Sequence, residues 1–323
     1  MAKTGVPFFK LQWSEADDTI QNLCIVDLKE VHLLMVSQID LTEAVKEFAI
    51  DTLGVDLVGF ASVDRLQGAP EGRRPTDYLP KAQTVLVGAA KLPDAAVEVA
   101  GHYEEPGKTL GPYMWYGYVI PNWNLSSAAS RLVRFLETKG FKGLPFPPTG
   151  LSYKYGNVAD FSHRHAAVAA GLGEFGLSGL LLTPQFGPRQ RLVSVITDAP
   201  LGPSPMYDGP KLCRPRSCGT ACIKACPTTA MKGKESLAIG DRTFEYAKLN
   251  GVKCKWLYAE KGFRRTKVPM PPEPTDEDWR AALASATPHP FDVALNQFTF
   301  VPHCGACIFN CPSPRFGKAA QKD

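Results

Sequence analysis

Apart from Cys24, every cysteine of this chain lies between residues 213 and 311. Three of them fall in CGTACIKACP, residues 218–227, and three more in CGACIFNCP, residues 304–312. Both stretches end in Cys-x-x-x-Cys-Pro. Thiolates at such short intervals are ligands for zinc ions or for iron–sulfur clusters, so the first chemistry to consider is that of a soft metal centre.

The repeated Cys-Pro ending favours iron–sulfur clusters over zinc. In paired clusters of the bacterial type, the last cysteine of each run ligates the cluster of the other run. Two such clusters need eight ligands, and Cys254 completes that number. Structural zinc sites and unligated thiols are the alternatives. The spacing thus predicts one [4Fe-4S] cluster on Cys213, Cys218, Cys222 and Cys311, and a second on Cys226, Cys254, Cys304 and Cys307.

The composition is typical of a globular protein. Hydrophobic residues make up 44% of the chain, charged residues 21%, and the net charge is +4. No basic block carries interleaved aromatic residues, so nucleic acid is not an expected partner, unless a modified tRNA base is the substrate. No apolar run reaches about 18 residues and the N-terminal stretch lacks a signal-peptide core. We therefore expect a cytoplasmic protein without a membrane partner, whose thiols stay reduced.

Helix and strand signals alternate through the first half of the chain. Apolar residues from Leu41 to Phe48 recur at helical spacing, and Gly54 follows as a helix C-cap. The stretch 198–211 is loop-like and separates this half from the cysteine-rich half. We expect an α+β fold in which helices cover a sheet. The predicted strands are 56–61, 84–90 and 191–197, and a second amphipathic helix is predicted over 126–140.

The motif GLGEFG, residues 171–176, matches the G-x-G-x-x-G pattern of dinucleotide-binding proteins. That pattern binds pyrophosphate only where a strand precedes it and a helix follows. Here an alanine-rich, helix-like run precedes it and a strand-like run follows. We therefore interpret these glycines as a tight helix-to-strand turn.

Residues 162–201, SHRHAAVAAGLGEFGLSGLLLTPQFGPRQRLVSVITDAPL, followed by the cysteine runs, closely resemble the reductive dehalogenase and epoxyqueuosine reductase superfamily. Residues 41–66 resemble the opening helix and strand of that family, and KCKWLYAE around Cys254 resembles the isolated cluster cysteine of the epoxyqueuosine reductases. The resemblance implies an N-terminal extension (1–40), a nitroreductase-like α/β sandwich that binds a corrinoid such as cobalamin (41–205), and a ferredoxin-like lobe with two [4Fe-4S] clusters (206–323).

The resemblance also implies a function. In the family, the clusters pass single electrons to cobalt, which reduces a small organic substrate; a ferredoxin or flavodoxin is the expected donor, and a homodimer is expected by analogy. The sequences GLGE and TPQFGPR favour dehalogenase-like chemistry. The alternatives are an epoxyqueuosine-type reductase, a non-catalytic electron carrier or reductive activator, and a flavin or another tetrapyrrole in place of the corrinoid.

Site residues are predicted from the same resemblance. Tyr116 and Tyr118 lie where dehalogenases supply a tyrosine, and they are the candidate proton donors, with core packing as the alternative role. Asp160 is a further catalytic candidate. Leu177 stands where many relatives carry Arg or Lys, which weakens a direct transfer of either reaction. The residues expected to contact the corrinoid are Gly171, Gly173, Gly176, Gly179 and His163.

Overall fold

A computed structural model of the chain describes residues 41–99, 112–149, 158–260, 264–285, 287–288 and 304–313. These residues belong to one compact unit, Gln38–Asp323. The predicted N-terminal extension, residues 1–40, lies outside the described residues. A boundary near residue 205 between a cofactor domain and an iron–sulfur lobe stays a prediction.

The centre of this unit is a four-stranded sheet in which every neighbouring pair is antiparallel. The described strands are β1 (Leu57–Ser62), β2 (Thr84–Lys91), β3 (Gly143–Phe146), β4 (Glu174–Phe175), β5 (Leu181–Leu182), β6 (Gln190–Thr197), β7 (Glu235–Ile239), β8 (Arg242–Tyr246), β9 (Arg264–Arg265) and β10 (Thr287–Pro288). The sheet order is β1–β2–β6–β3, and the remaining strands pair as β4–β5, β7–β8 and β9–β10. The three predicted strands are confirmed as β1, β2 and β6, with small shifts at their ends.

Helices flank the sheet and continue into the cysteine-rich half. They are α1 (41–47, continued as a π-helical turn at Phe48–Thr52), a 3₁₀ turn at Val63–Leu66, α2 (Pro75–Tyr78), α3 (Asp94–Val99), α4 (Pro112–Met114, continued by a π-helical turn at Trp115–Val119), α5 (Ile120–Thr138), α6 (His163–Ala169), α7 (Pro215–Cys218), α8 (Ala221–Lys224), α9 (Gly251–Glu260), α10 (Asp276–Ser285) and α11 (Ala306–Phe309). Helix α5 begins before the predicted residue 126, because Pro121 lies in its first turn, where a missing N–H does no harm. None of the described helices combines the length and apolar character needed to cross a membrane.

Both faces of the sheet are buried, which explains its nearly continuous apolar strands. Leu86 of β2 packs with Leu125 and Leu132 of α5 on one face. Its neighbours Val85 and Val87 point to the other face and pack with the alanines of α6. Successive strand residues face opposite sides, so a strand that is covered on both sides must be apolar throughout. The predicted α+β class, a sheet covered by helices, is confirmed.

The glycine motif forms the turn between α6 and β4, in the predicted helix-to-strand order. Gly171 adopts φ +77°, a left-handed conformation that ordinary residues rarely take. A Cβ at Gly171 would collide with the carbonyl oxygen of Pro205, and a Cβ at Gly173 with that of Leu182. The motif is therefore required by close backbone packing within the protein.

We predict that Gly173→Ala destabilises the protein by about 2 kcal/mol, because the new methyl group overlaps a backbone oxygen that has no freedom to move away. The midpoint of urea unfolding should fall accordingly. Gly251→Ala is the matched control, since a Cβ there meets no heavy atom within 4 Å. Equal midpoints for the two variants would contradict the packing argument.

Candidate metal and catalytic site

Electrostatic neighbours divide the eight clustered cysteines into two groups. The first group consists of Cys213, Cys218, Cys222 and Cys311, in which the charges of Cys213 and Cys222 act on Cys311. The second consists of Cys226, Cys254, Cys304 and Cys307, in which the other three thiols all act on Cys307. Cys307 also senses Cys222, so the groups adjoin. These are the two sets that the spacing predicts.

Burial makes the thiolate state of Cys254, Cys307 and Cys311 unfavourable in the free protein. It is the largest cause that raises the pKa of Cys254 and of Cys311 to about 11, and it also raises the pKa of Cys307. Repulsion among neighbouring thiolates adds to the effect in all three cases. A centre that supplies positive charge to four thiolates at once reverses this penalty. The donor set therefore fits an iron–sulfur core.

A pocket lies at the first cysteine group, and all four cysteines of the group line it. The Leu177 N–H donates to the Cys213 sulfur at 3.2 Å, and Ser178 hydrogen-bonds to Cys222. In the second group, the Ala230 N–H donates to the Cys226 sulfur at 3.3 Å. Hydrogen bonds of this kind set the properties of iron–sulfur centres. Within the described part of the chain, no three or more His, Cys, Asp or Glu side chains are arranged to hold a single metal ion.

Two short helices present equivalent cysteines. Helix α8 reads ACIK and carries Cys222, while α11 reads ACIF and carries Cys307. Each follows a residue with positive φ, Thr220 at 58° and Gly305 at 66°. The left-handed residue reverses the chain just before the cysteine, so the similar sequences of the two runs produce the same local geometry twice.

Glu174 attaches the glycine turn to the first ligand, and sequence reasoning missed it. Its buried carboxylate accepts hydrogen bonds from the backbone N–H groups of Leu212 at 2.7 Å and Cys213 at 3.0 Å. The Lys211 ammonium lies 3.0 Å away. The sequence does contain a signal for this role. Glu174 is the one charged residue of GLGEFG, whose other residues are all glycine or apolar. A carboxylate at such a position needs partners when the turn is buried.

Arg189 connects β6 to the end of the second cysteine run. Its side chain is buried, its Nη1 donates to the Ser313 carbonyl at 3.1 Å, and its charge lowers the pKa of Cys311. Sequence reasoning missed this residue as well. The sequence signal for it is PRQR, in which arginines stand at the beginning of an otherwise apolar strand and need buried partners.

The candidate proton donors lie in different surroundings. Tyr118 is buried, its hydroxyl is 2.6 Å from Thr149 Oγ1, and the Arg191 guanidinium lies 3.9 Å from its ring centroid. Burial raises the pKa of Tyr118, and the charge of Arg191 opposes that shift. Tyr116 is 58% exposed, by contrast. Arg191 is a further residue that sequence reasoning missed.

Asp160 is exposed, and its backbone carbonyl accepts a hydrogen bond from the Tyr78 hydroxyl at 2.6 Å. This contact positions the backbone of Asp160 next to the aromatic cluster of Tyr78, Phe146 and Phe161. The described contacts do not bring Asp160 together with Tyr116 or Tyr118. A catalytic role for it stays a prediction.

His163 uses both ring nitrogens within the protein. Nδ1 lies 2.8 Å from Ser194 Oγ and Nε2 lies 2.8 Å from the Pro147 carbonyl oxygen. Burial lowers its pKa, and burial likewise lowers the pKa of His165 to about 3. A neutral His163 with both nitrogens engaged has none left to coordinate cobalt, so any contact with a corrinoid has to come from the ring itself.

The sequence-based reason for assigning the glycines to a corrinoid needs correction, because protein atoms fill the space that the missing side chains leave. Besides the backbone contacts of Gly171 and Gly173, a Cβ at Gly176 would lie 3.1 Å from the Leu182 side chain. A Cβ at Gly179 would lie 2.9 Å from Arg164 Nη1. The turn is thus packed against protein and the first cysteine group, which accounts for its glycines without a cofactor. Contact of these glycines with a corrinoid stays a prediction.

We predict that Glu174→Ala lowers the iron and acid-labile sulfide that the purified protein retains, because two buried N–H groups beside Cys213 lose their acceptor. Glu174→Gln should retain more, since its carbonyl oxygen still accepts. Glu235→Ala, at an exposed position of β7, is the control and should retain the full amount. Equal iron content in Glu174→Ala and the control would show that the hydrogen bonds of Glu174 to Leu212 and Cys213 are not needed to retain iron.

Comparisons with known proteins agree with the predicted resemblance. No family model matches the chain. It is 37% identical over 117 residues to a tetrachloroethene reductive dehalogenase of Dehalobacter restrictus, which covers 33% of this chain and 18% of the relative. The chain thus spans less than a fifth of that relative's length.

Solved structures extend the similarity over more of the chain. A reductive dehalogenase, whose structure suggests a mechanism for B12-dependent dehalogenation, matches with a TM-score of 0.51 and 18% identity, over 84% of this chain and 38% of that one. An epoxyqueuosine reductase from Streptococcus thermophilus matches with a TM-score of 0.48 and 19% identity, over 86% and 67%. The chain is therefore similar in sequence to tetrachloroethene reductive dehalogenases and in fold to a reductive dehalogenase, which confirms the predicted resemblance to this superfamily.

Proposed function

We propose that this protein is a corrinoid- and iron–sulfur-dependent reductase of a small organic substrate, with chemistry like that of the reductive dehalogenases. The observation that carries the proposal is the pair of four-thiol groups, the second of which adjoins Tyr113. Tyr113 in turn neighbours Tyr118 and Arg191. The sequence identity to tetrachloroethene reductive dehalogenases favours a halogenated substrate over an epoxide in a modified tRNA base.

In this proposal each cysteine group holds one [4Fe-4S] cluster, and residues 206–323 form a ferredoxin-like lobe behind a nitroreductase-like domain. The equivalent helices α8 and α11 support the assignment, because paired clusters are bound by two similar cysteine runs. The hydrogen bonds from Leu177 and Ala230 to cysteine sulfurs support it further, since such bonds stabilise the charge that a reduced cluster carries.

Electrons enter at the first cysteine group, which borders the open pocket described above. Exposed cations surround it, and the sequence between residues 209 and 234 contains no Asp or Glu. A cationic surface attracts acidic partners and accelerates their encounter. Ferredoxins or flavodoxins with acidic surfaces therefore fit as donors. The exposed cations are Lys211, Arg214, Arg216 and Lys224.

The corrinoid, when bound, supplies a low-valent cobalt that reduces the substrate bond. Tyr118 holds the proton that the reduced carbon requires. Burial keeps its phenol protonated at neutral pH, and Arg191 over the ring stabilises the phenolate that remains after the proton leaves. The buried Nη2 of Arg191 has no hydrogen-bond partner among the described residues and is free to bind a substrate group.

The test of the proposal is electron paramagnetic resonance on anaerobically purified, cluster-reconstituted protein, with and without added cob(II)alamin. We expect two reduced-cluster signals and a perturbed cobalt signal. Cys222→Ser and Cys307→Ser should each abolish reduction of the bound corrinoid, because each removes a ligand of one cluster. Intact clusters with an unperturbed cobalt signal would instead indicate an electron carrier, or a flavin or another tetrapyrrole as cofactor.

We predict that Tyr118→Phe slows reduction of a halogenated substrate such as tetrachloroethene by about 100-fold, the lower range for loss of a general acid, without weakening corrinoid binding. Single-turnover kinetics and the cobalt spectrum measure the two effects. Tyr116→Phe is the matched control and should react at the normal rate. The wild-type rate should stay constant into alkaline pH and fall only above the ordinary tyrosine pKa of about 10, because a phenolate has no proton to donate. An unchanged rate in Tyr118→Phe would exclude it as the donor.

A further inference from the structure

Tyr113 is fully buried and its hydroxyl has no hydrogen-bond partner in the described part of the chain. It lies in α4, in a small apolar cluster with Leu92 and Val97, against which Ile308 and Phe309 of α11 also pack. Buried phenols normally find an acceptor, because an unpaired hydroxyl loses its bonds to water without replacement. The arrangement therefore indicates an acceptor that belongs to a bound group.

The position of the hydroxyl identifies which group that is. A Cβ added to Gly305 would lie 2.5 Å from Tyr113 Oη, so the hydroxyl touches the backbone between Cys304 and Cys307. The charges of both cysteines act on the phenol and help to raise its pKa to about 12, after burial as the main cause. Glycine at position 305 makes this approach possible, since any side chain there would displace the hydroxyl.

Sulfur is the acceptor that this position offers. A neutral thiol accepts hydrogen bonds weakly, whereas a thiolate that ligates a metal carries the charge that makes a good acceptor. A cluster on the second cysteine group would place charged sulfur at Cys304 and Cys307, on either side of the Gly305–Ala306 backbone. The phenol, protonated at any physiological pH, is a donor under all such conditions.

We propose that the Tyr113 hydroxyl donates a hydrogen bond to a sulfur of the second iron–sulfur centre and thereby raises its reduction potential. The inference rests on the proposed function. Hydrogen bonds to sulfur stabilise the extra negative charge of the reduced cluster, so their loss makes the cluster harder to reduce. Tyr113 thus acts through the second cluster: by raising its reduction potential, it favours electron transfer from the first cluster to the second.

Tyr113 also neighbours the proposed proton donor. The charges of Arg191 and Tyr118 also act on Tyr113, so it lies between the second cysteine group and the proposed proton donor. Its ring also contacts Gly117, where a Cβ would lie 2.8 Å from the ring edge. The π-helical turn that carries Tyr118 thus packs directly on the residue that touches the cluster loop.

The test is Tyr113→Phe in the cluster-loaded protein, with both reduction potentials measured by titration under electron paramagnetic resonance. We expect the equilibrium constant for reduction of one cluster to fall about tenfold, which is about 59 mV for a one-electron couple, while the other cluster is unchanged. The unshifted cluster serves as an internal control. Tyr78→Phe is the matched variant, because it removes a tyrosine hydroxyl that bonds to the Asp160 carbonyl and, among the described residues, touches neither cysteine group, and both potentials should keep their wild-type values.

A Tyr113→Phe protein with full iron content and two unshifted potentials would overturn the inference. A second measurement needs no variant. Wild-type protein reconstituted in H₂O and in D₂O should show, by electron–nuclear double resonance, one exchangeable proton coupled to the second cluster in addition to those of the Ala230 and Ala306 backbone N–H groups. Couplings from those two N–H groups alone would overturn the inference even if Tyr113→Phe fails to fold. A protein without any cluster signal would overturn the proposed function as well, which separates the two failures.

Discussion

The structure depends on one constraint, the repulsion among thiolates that the fold brings close together and removes from water. Burial and neighbouring thiols oppose the ionisation of Cys311 in the first group and of Cys254 and Cys307 in the second. Such an arrangement is stable in the ionised state only around a centre with compensating positive charge. Under the proposed function, the short helices, positive-φ turns and N–H donors of the cysteine-rich half hold these sulfurs around such a centre.

The first half of the chain contributes directly to this arrangement. The turn after α6 leads into Glu174, whose carboxylate holds the backbone of Cys213, and the start of β6 provides Arg189, which holds the carbonyl of Ser313. Both contacts cross between a packed sheet and loops with little regular structure. The glycines of the turn allow its backbone to come close to Pro205 and Leu182. The rigid sheet thereby determines where the cysteine loops lie.

The two cysteine groups have different surroundings. The first cysteine group is open to a cationic surface, whereas the second lies beside a fully buried tyrosine. Beyond Tyr113, the Arg191 guanidinium lies over the ring of Tyr118, the proposed proton donor. Tyr113 and Tyr118 are both buried, and a low dielectric strengthens the electrostatic interactions that they make.

Local patterns in the sequence determined the strands β1, β2 and β6, the helix-to-strand turn and the two sets of cysteines, because hydrophobic period and ligand spacing are properties of short segments. The roles of Glu174, Arg189 and Arg191 depend on partners far along the chain, such as Ser313 for Arg189 and Gly117 for Arg191. The sequence likewise provided no reason to prefer Tyr116 or Tyr118. The packing of the π-helical turn leaves Tyr116 exposed and buries Tyr118 beside Arg191. Segment patterns specify which elements form, but only tertiary packing decides which side chains lose water and meet, and that desolvation sets their charge and reactivity.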